Sequence, residues 1–131
     1  MTNSRQQLIH DLWDRWNRGV RELRADEIAP DAIVKSTLTG DTYSGHDEIR
    51  EWMAEIDDQF DDWNVTIDEM EDVAPDRVLA IGKVHFRGKG SGVEFDQPIA
   101  WICRFSGDRV TEMHNFSDQS AARDAAKAPS P

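Results

Sequence analysis

The stretch WNVTIDEMEDVAPDRVLAIGKVHFRGKGSGVEFDQPIAWICRFSGDRVTEMHNF, residues 63–116, decides the fold because apolar and polar side chains alternate along most of it. Turn residues divide it at Pro75, at the glycine-rich segment RGKGSG (87–92) and at Gly107. The pattern predicts four consecutive strands. They are 63–67, 73–87, 93–105 and 110–116. Strands joined by such short turns pair side by side, so the sequence predicts an antiparallel sheet.

Helices are predicted on either side of this stretch. In the first, which ends near Gly19, apolar residues recur at spacings of three and four. They are Leu8, Ile9, Leu12, Trp13, Trp16 and Val20. The second begins near His46 or Asp47, and a short strand at 33–38 precedes it. Its apolar stripe is Ile49, Trp52, Met53, Ile56 and Phe60. Asp118 is a suitable cap for a short last helix.

This order of elements predicts one α+β domain over residues 1–131, with a core at about 5–126 and a flexible tail at 127–131. The first two helices are expected to cover one face of the sheet. The N-terminus lacks a basic segment followed by an apolar one, so we expect no signal peptide. Cys103 is the single cysteine and forms no internal disulfide, which fits a reducing, cytoplasmic location.

Composition excludes several partners. The chain carries 26 acids against 15 bases, a net charge of −11, and has no Lys or Arg between Arg50 and Arg77. Acids in that gap include Glu55, Asp57, Asp58, Asp61, Asp62, Asp68, Glu69, Glu71 and Asp72. Such a surface repels phosphate, so nucleic acid and anionic membranes are not expected as partners. The excess of acids fits either a salt-adapted protein or an acidic, highly soluble surface.

Motifs for metals and cofactors are absent. No apolar run is long enough to span a membrane, and the spacings HxxxH and CxxC do not occur. RGKGSG lies between two strands, so it is a hairpin and not a phosphate loop that opens a helix. The sequence therefore predicts no metal, no iron–sulfur cluster and no other cofactor.

Several strings, in this order, resemble the nuclear transport factor 2-like superfamily, in its SnoaL-like (polyketide cyclase-like) and ketosteroid isomerase-like branch. The strings are WDRWNRG (13–19), APDAIVKS (29–36), YSGHDEIREWM (43–53), RGKGSGVEF (87–95) and AWICRFSGDRVTEMHNFSD (100–118). The resemblance runs from Leu8 to Ala126. It implies a cystatin-like cone, in which a curved sheet wraps around the helices and encloses a mostly apolar pocket. It also implies a homodimer formed through the convex face of the sheet.

The resemblance allows the isomerase roles to be carried over position by position. A ketosteroid isomerase-like site uses a carboxylate base, a tyrosine and a protonated aspartate. At the base position this chain has Lys35 and Ser36, at or near the tyrosine position it has Trp16, and at the aspartate position it has Trp101. All three positions depart from the pattern. Isomerase chemistry by that mechanism is therefore not expected.

His114 is the candidate acid–base residue, because histidine titrates near neutral pH and can both take and give a proton. Glu112 or Asp118 would orient it. By the resemblance, Trp101, His114 and Phe116 should face the pocket. The alternative is a histidine packed in the sheet and hydrogen-bonded to a neighbour.

The candidate ligand-binding residues share an expected place at the pocket. They are Trp16, Lys35, Trp52, Met53, His85, Arg87, Ile99, Trp101 and Phe116. Trp16 and Trp101 would either line or fill the cavity. Lys35 would pair with an anionic ligand or simply face solvent. His85 and Arg87 would bind a carboxylate or enolate oxygen, or else belong to a polar outer face, since strand alternation alone does not say which face points inward.

Two functions fit these residues. One is a cofactor-independent lyase, isomerase or cyclase acting on an apolar oxygenated metabolite, with His114 moving the proton. The other is a non-catalytic ligand-binding or dimerisation module that lacks the isomerase residues.

Overall fold

The computed structural model describes residues 4–20, 22–36 and 40–127. The elements, in chain order, are α1 Ser4–Asn17, β1 Ile28–Lys35, β2 Thr42–Ser44, α2 Gly45–Gln59, β3 Phe60–Ala74, β4 Arg77–Gly88, β5 Glu94–Ser106, β6 Arg109–Phe116 and α3 Gln119–Lys127. No helix among these residues is long and apolar enough to cross a membrane. Of the predicted flexible tail, Lys127 instead ends α3, and the rest lies outside the described residues.

The six strands form one curved sheet in the order β2-β1-β6-β5-β4-β3. The predicted α+β cone is confirmed, with a correction to the sheet: β1 pairs with β6 in parallel, so the sheet is mixed. β2, which pairs with β1, was not predicted. The chain reaches β6 through a meander that starts after α2, and this brings the last strand beside the first with the same direction.

The first strand lies earlier than the predicted 33–38. It runs over Ile28–Lys35 and includes Pro30, a residue type that usually marks a turn. The register shifts between Ile28 and Ile33 where β1 meets β6. A bulge at this point accommodates proline, which cannot donate to a regular ladder, so a turn signal became part of a strand.

The inner, concave face of the sheet carries the main core. α1 and α2 supply one side of it, with Ile9, Leu12, Trp13, Trp16, Ile49, Trp52, Met53 and Ile56 buried. The strands supply alternate residues, among them Val78, Ala80, Val84, Phe86, Ile99, Trp101, Cys103 and Phe105. The period-two pattern of residues 63–116 therefore selected these inward positions.

The outer, convex face is partly covered by α3. Ala122 and Ala126 of this helix pack on a strip of apolar strand residues, namely Leu79, Ile81, Ala100 and Ile102. The prediction of a cap at Asp118 is correct: Asp118 Oδ1 accepts hydrogen bonds from the backbone N–H groups of Ser120 (2.8 Å) and Ala121 (3.2 Å). Helices therefore cover parts of both faces, and only the two long ones share the inner face.

Candidate functional site

Of the residues at positions that carry isomerase roles in the resembling family, all except the exposed Lys35 lie inside the core. Trp16 and Trp101 are each 1% exposed, and Ser36 is buried with them. The indole N–H of Trp16 donates to the backbone oxygen of Glu22 at 3.1 Å, which fixes the ring at the end of α1. These side chains are neither carboxylates nor phenols, so the interior holds no isomerase-type base at these positions.

Aromatic rings occupy much of the space between α1 and the sheet. The ring centroid of Trp13 lies 4.8 Å from that of Trp16 and 5.1 Å from that of Trp101. Trp52, Met53 and Ile99 are also buried in this core. The predicted ligand-binding residues of the inner face are thus buried members of one apolar core.

A small polar cluster lies within this apolar interior. Ser36 Oγ accepts a hydrogen bond from Trp52 Nε1 at 3.2 Å and another from Asn115 Nδ2 at 3.4 Å. Asn115 is 1% exposed and was missed by the sequence analysis. Its signal was present, since it stands two residues after Met113 on the same side of β6, where apolar residues are the rule. The cluster fixes the end of β1 against α2 and β6.

The register of β6 overturns one expectation. Trp101 lies opposite Asn115, and Ile102 lies opposite His114, across the β5–β6 ladder. Trp101 faces inward, so His114 and Phe116 face outward, on the side of α3. The prediction that all three share the pocket is wrong. Counting along separate strands left their relative register open, and a one-residue offset moves a whole set of side chains to the other face.

His114 instead lines a hollow at the end of β1, which we call the His114 hollow. Its volume is about 460 Å³, and its described walls are Lys35, Ser36, Gly40, Asp41, Thr42 and His114. Lys35 stands opposite His114 in the parallel β1–β6 ladder. Two predicted site residues that lie 79 positions apart in the sequence are therefore neighbours.

Charges around the hollow set the proton affinity of His114. Burial lowers the pKa of His114 below its usual 6.5, and the charge of Lys35 lowers it further, while Glu112 opposes the shift. Lys35 Nζ lies 3.3 Å from Glu112 Oε1. The ring of Phe116 lies against that of His114, with centroids 4.1 Å apart and planes 30° apart. The imidazole is held in place and favours its neutral form.

The predicted orienting role of Asp118 is corrected. Its carboxylate caps α3, and among the described residues it makes no hydrogen bond to His114. Glu112, the other predicted partner, acts on His114 through charge and through its ion pair with Lys35.

His85 and Arg87 do not join the His114 hollow. On β4 their neighbours Val84 and Phe86 face the core, so His85 and Arg87 face outward. His85 contacts Glu94 and Asp96, and Arg87 lies 3.9 Å from Asp62. Of the two interpretations of this pair, the polar outer face is the one that the structure shows.

Cys103 does not contribute to the candidate site. Cys103 is buried, and burial raises the pKa of its thiol to about 12, which leaves it protonated and unreactive at neutral pH. Within the ranges 4–20, 22–36 and 40–127, no group of three His, Cys, Asp or Glu side chains has an arrangement that could hold a metal ion.

The chain is similar to known proteins both in sequence pattern and in fold. The family model described as SnoaL-like domain matches residues 9–113. No curated protein matches the chain in sequence. A nuclear transport factor 2-like protein of unknown function from Burkholderia pseudomallei superposes with a TM-score of 0.79 and 16% identity, covering 97% of this chain and 100% of that one.

Two further solved structures have related folds. A SnoaL-like polyketide cyclase from Shewanella putrefaciens, so named without proof of its activity, has a TM-score of 0.75 and 19% identity, with 98% of this chain and 100% of that chain covered. A protein with a ketosteroid isomerase-like fold from Catenulispora acidiphila, in complex with trimethylamine, has a TM-score of 0.72 and 20% identity, with 95% and 98% covered. At these identities the likeness concerns the fold.

Proposed function

Because the chain belongs to the SnoaL-like domain family, we propose that it binds an oxygenated small molecule in the His114 hollow and exchanges a proton with it. The observation that carries the proposal is the placement of a histidine and a lysine on one wall of a hollow of about 460 Å³. That volume is within the range typical of small-molecule sites.

Each side chain has a distinct part in the proposed chemistry. The neutral ring of His114 accepts a proton from an acidic C–H beside a carbonyl group, which leaves an imidazolium and an enolate. The ammonium of Lys35 stabilises the negative oxygen of that enolate. Returning the proton to a different carbon gives the product and restores the neutral ring. The substrate loses one proton and regains one without any net oxidation or reduction, so the reaction needs no cofactor.

The direction of the pKa shift supports a base more than an acid. A lowered pKa keeps more of His114 neutral at physiological pH, so the ring is ready to accept a proton. The same charge that favours the neutral ring, that of Lys35, also favours an anionic oxygen nearby. The ammonium of Lys35 therefore favours both the neutral base and the anionic oxygen of the enolate.

A ligand panel followed by mutagenesis tests the proposal. The panel holds aromatic polyketides, steroids, terpenoid epoxides, small carboxylates and trimethylamine. A ligand at about 100 times its Kd adds about 2.7 kcal/mol to stability, which is measured as a rise in Tm. For any compound that is turned over, His114→Gln is expected to lower kcat at least about a hundredfold.

The matched control is His10→Gln, which changes an exposed histidine on α1 outside the hollow and is expected to leave kcat unchanged. A His114→Gln protein that keeps its ligand-induced rise in Tm but loses turnover places His114 in the chemistry. If turnover in His114→Gln stays within a few-fold of the parent, His114 is not the base.

A second candidate, the non-catalytic module, is favoured by the filled interior. Trp16 and Trp101 are core residues where the resembling isomerases use polar groups, and Ser36 is held by Trp52 and Asn115. A panel without any rise in Tm would support a dimerisation module, and a rise in Tm without turnover of the compound would support a non-catalytic ligand-binding module.

The homodimer through the sheet remains part of this proposal. α3 covers the apolar strip of the outer face, so a dimer would use the charged part beside it, which carries Lys83, Arg87, Glu94 and Asp96. Sedimentation as a monomer at micromolar concentration would exclude it. A cytoplasmic location is likewise proposed, on the single reduced Cys103.

A further inference from the structure

His85 is enclosed by two carboxylates on the outer face, away from the His114 hollow. Its Nδ1 lies 2.6 Å from Asp96 Oδ1, and its Nε2 lies 3.0 Å from Glu94 Oε1. Asp96 is its direct partner across the β4–β5 ladder, and Glu94 is paired with Arg87 on the next rung of that face. Three side chains from two adjacent strands thus form one hydrogen-bonded group.

The geometry requires a particular protonation state. An ionised carboxylate only accepts hydrogen bonds, and a neutral imidazole has one N–H to donate. Both contacts are therefore hydrogen bonds only when the ring carries two protons. In the neutral ring, one nitrogen lone pair would face a carboxylate oxygen, and that contact would be repulsive.

We propose that His85, Glu94 and Asp96 form a proton-dependent clamp that holds the turn end of the β4–β5 hairpin. Protonation of the ring closes the clamp, and deprotonation releases one of its two carboxylates. The proposal does not depend on the function of the His114 hollow.

Other charged groups lie near His85 on its own strand and on β3. Lys83 and Arg87 share its face on β4 and disfavour a charged ring, whereas Asp62 on β3 lies beside Arg87 and offsets it. The two contacting carboxylates outweigh these groups, and their hydrogen bonds, Asp96 first and Glu94 second, raise the pKa of His85 above its usual 6.5.

An aromatic contact on the other face of the sheet lies between the two rungs of the clamp. Phe86 pairs with Phe95 between the two clamp rungs, and their ring centroids are 5.2 Å apart. Phe86 is buried, while Phe95 is substantially exposed at the hairpin end. When the clamp is released, the contact between Phe86 and Phe95 is the main side-chain contact that remains across these rungs. The turn end of the hairpin therefore opens more often.

Two measurements on the full chain test the clamp. The first is a pH titration of the four histidine rings by NMR at low ionic strength, with each signal assigned from a His→Gln variant. We expect His85 to titrate above the usual 6.5, and Asp96→Asn or Glu94→Gln to lower the pKa of His85. Asp124→Asn, on the exposed side of α3, is the charge-matched control and should not change it.

The second measurement is hydrogen exchange of the backbone amides at the hairpin end, corrected for the intrinsic effect of pH. Protection is expected to fall as pH rises through the pKa of His85, and His85→Gln should remove that step. A His85 that titrates at or below 6.5 overturns the proposal. So does a pH step in exchange that is unchanged in His85→Gln.

Discussion

The two faces of the sheet differ in what fills them, although the same strands supply both. The inner face is almost wholly apolar, with the ring of Trp13 packed against those of Trp16 and Trp101. The outer face combines the strip under α3 with charged groups and two histidines, one beside a lysine and one between carboxylates. Residues that alternate along one strand therefore pack the core on one side and carry titratable groups on the other.

The two histidines sharpen this comparison. Both lie on the outer face, yet the pKa of His114 is lowered and that of His85 is raised. His114 is partly buried next to a cation, whereas His85 is more exposed and contacts two anions. Neighbouring charge and burial, and not the choice of histidine, decide which form each ring prefers.

The largest expected effect comes from breaking the inner face. Trp101→Ala removes a side chain that is 1% exposed and leaves a cavity beside Trp13. We expect a loss of about 3–5 kcal/mol in the free energy of unfolding, measured by urea denaturation. Val93→Ala, at a position 61% exposed, is the control and should change stability by no more than about 0.5 kcal/mol. Equal losses in the two variants would contradict the assignment of Trp101 to the core.

A smaller effect is expected where the outer face is apolar. Ala122→Glu places a carboxylate against the strip of Leu79 and Ile102, and burial of an unpaired charge there is unfavourable enough to detach α3. We expect a loss of about 1–3 kcal/mol and reduced hydrogen-exchange protection confined to α3.

Ala121→Glu adds the same charge to the exposed side of the same helix and should leave both quantities nearly unchanged. Loss of α3 protection in Ala121→Glu as well would mean that helix propensity, and not contact with the strip, holds α3.

The smallest expected effect is a pair of pH slopes of opposite sign. Because the folded pKa of His114 lies below 6.5, the unfolded chain binds more protons in that window, so this group makes stability fall as pH drops below 6.5. His85 has a raised folded pKa, so its contribution is present below 6.5 and is lost as pH rises through that pKa.

The free energy of unfolding should be measured by urea denaturation across this pH range. Its dependence on pH below 6.5 should weaken in His114→Gln, and its dependence on pH above 6.5 should weaken in His85→Gln. If both variants altered the pH dependence of stability in the same pH range, the two histidines would not be separate sites.

The sequence by itself determined the three helices and five of the six strands of the cone. The period-two alternation of residues 63–116 and the helical stripes of Leu12, Trp16, Trp52 and Ile56 are local patterns, and local patterns report which positions must be buried. The absence of the isomerase residues could also be read directly, because it required only the identity of Ser36, Trp16 and Trp101.

Only the tertiary structure decided which residues meet. The parallel pairing of β1 with β6 places Lys35 beside His114, and the β5–β6 register separates His114 from Trp101. Buried Asn115 and the carboxylates around His85 follow from the same ladders. Pairing between strands depends on contacts that are distant in sequence, and alternation within one strand fits either face until a neighbour is in place. The sequence therefore identified His114 as a candidate, and the fold decided its surroundings.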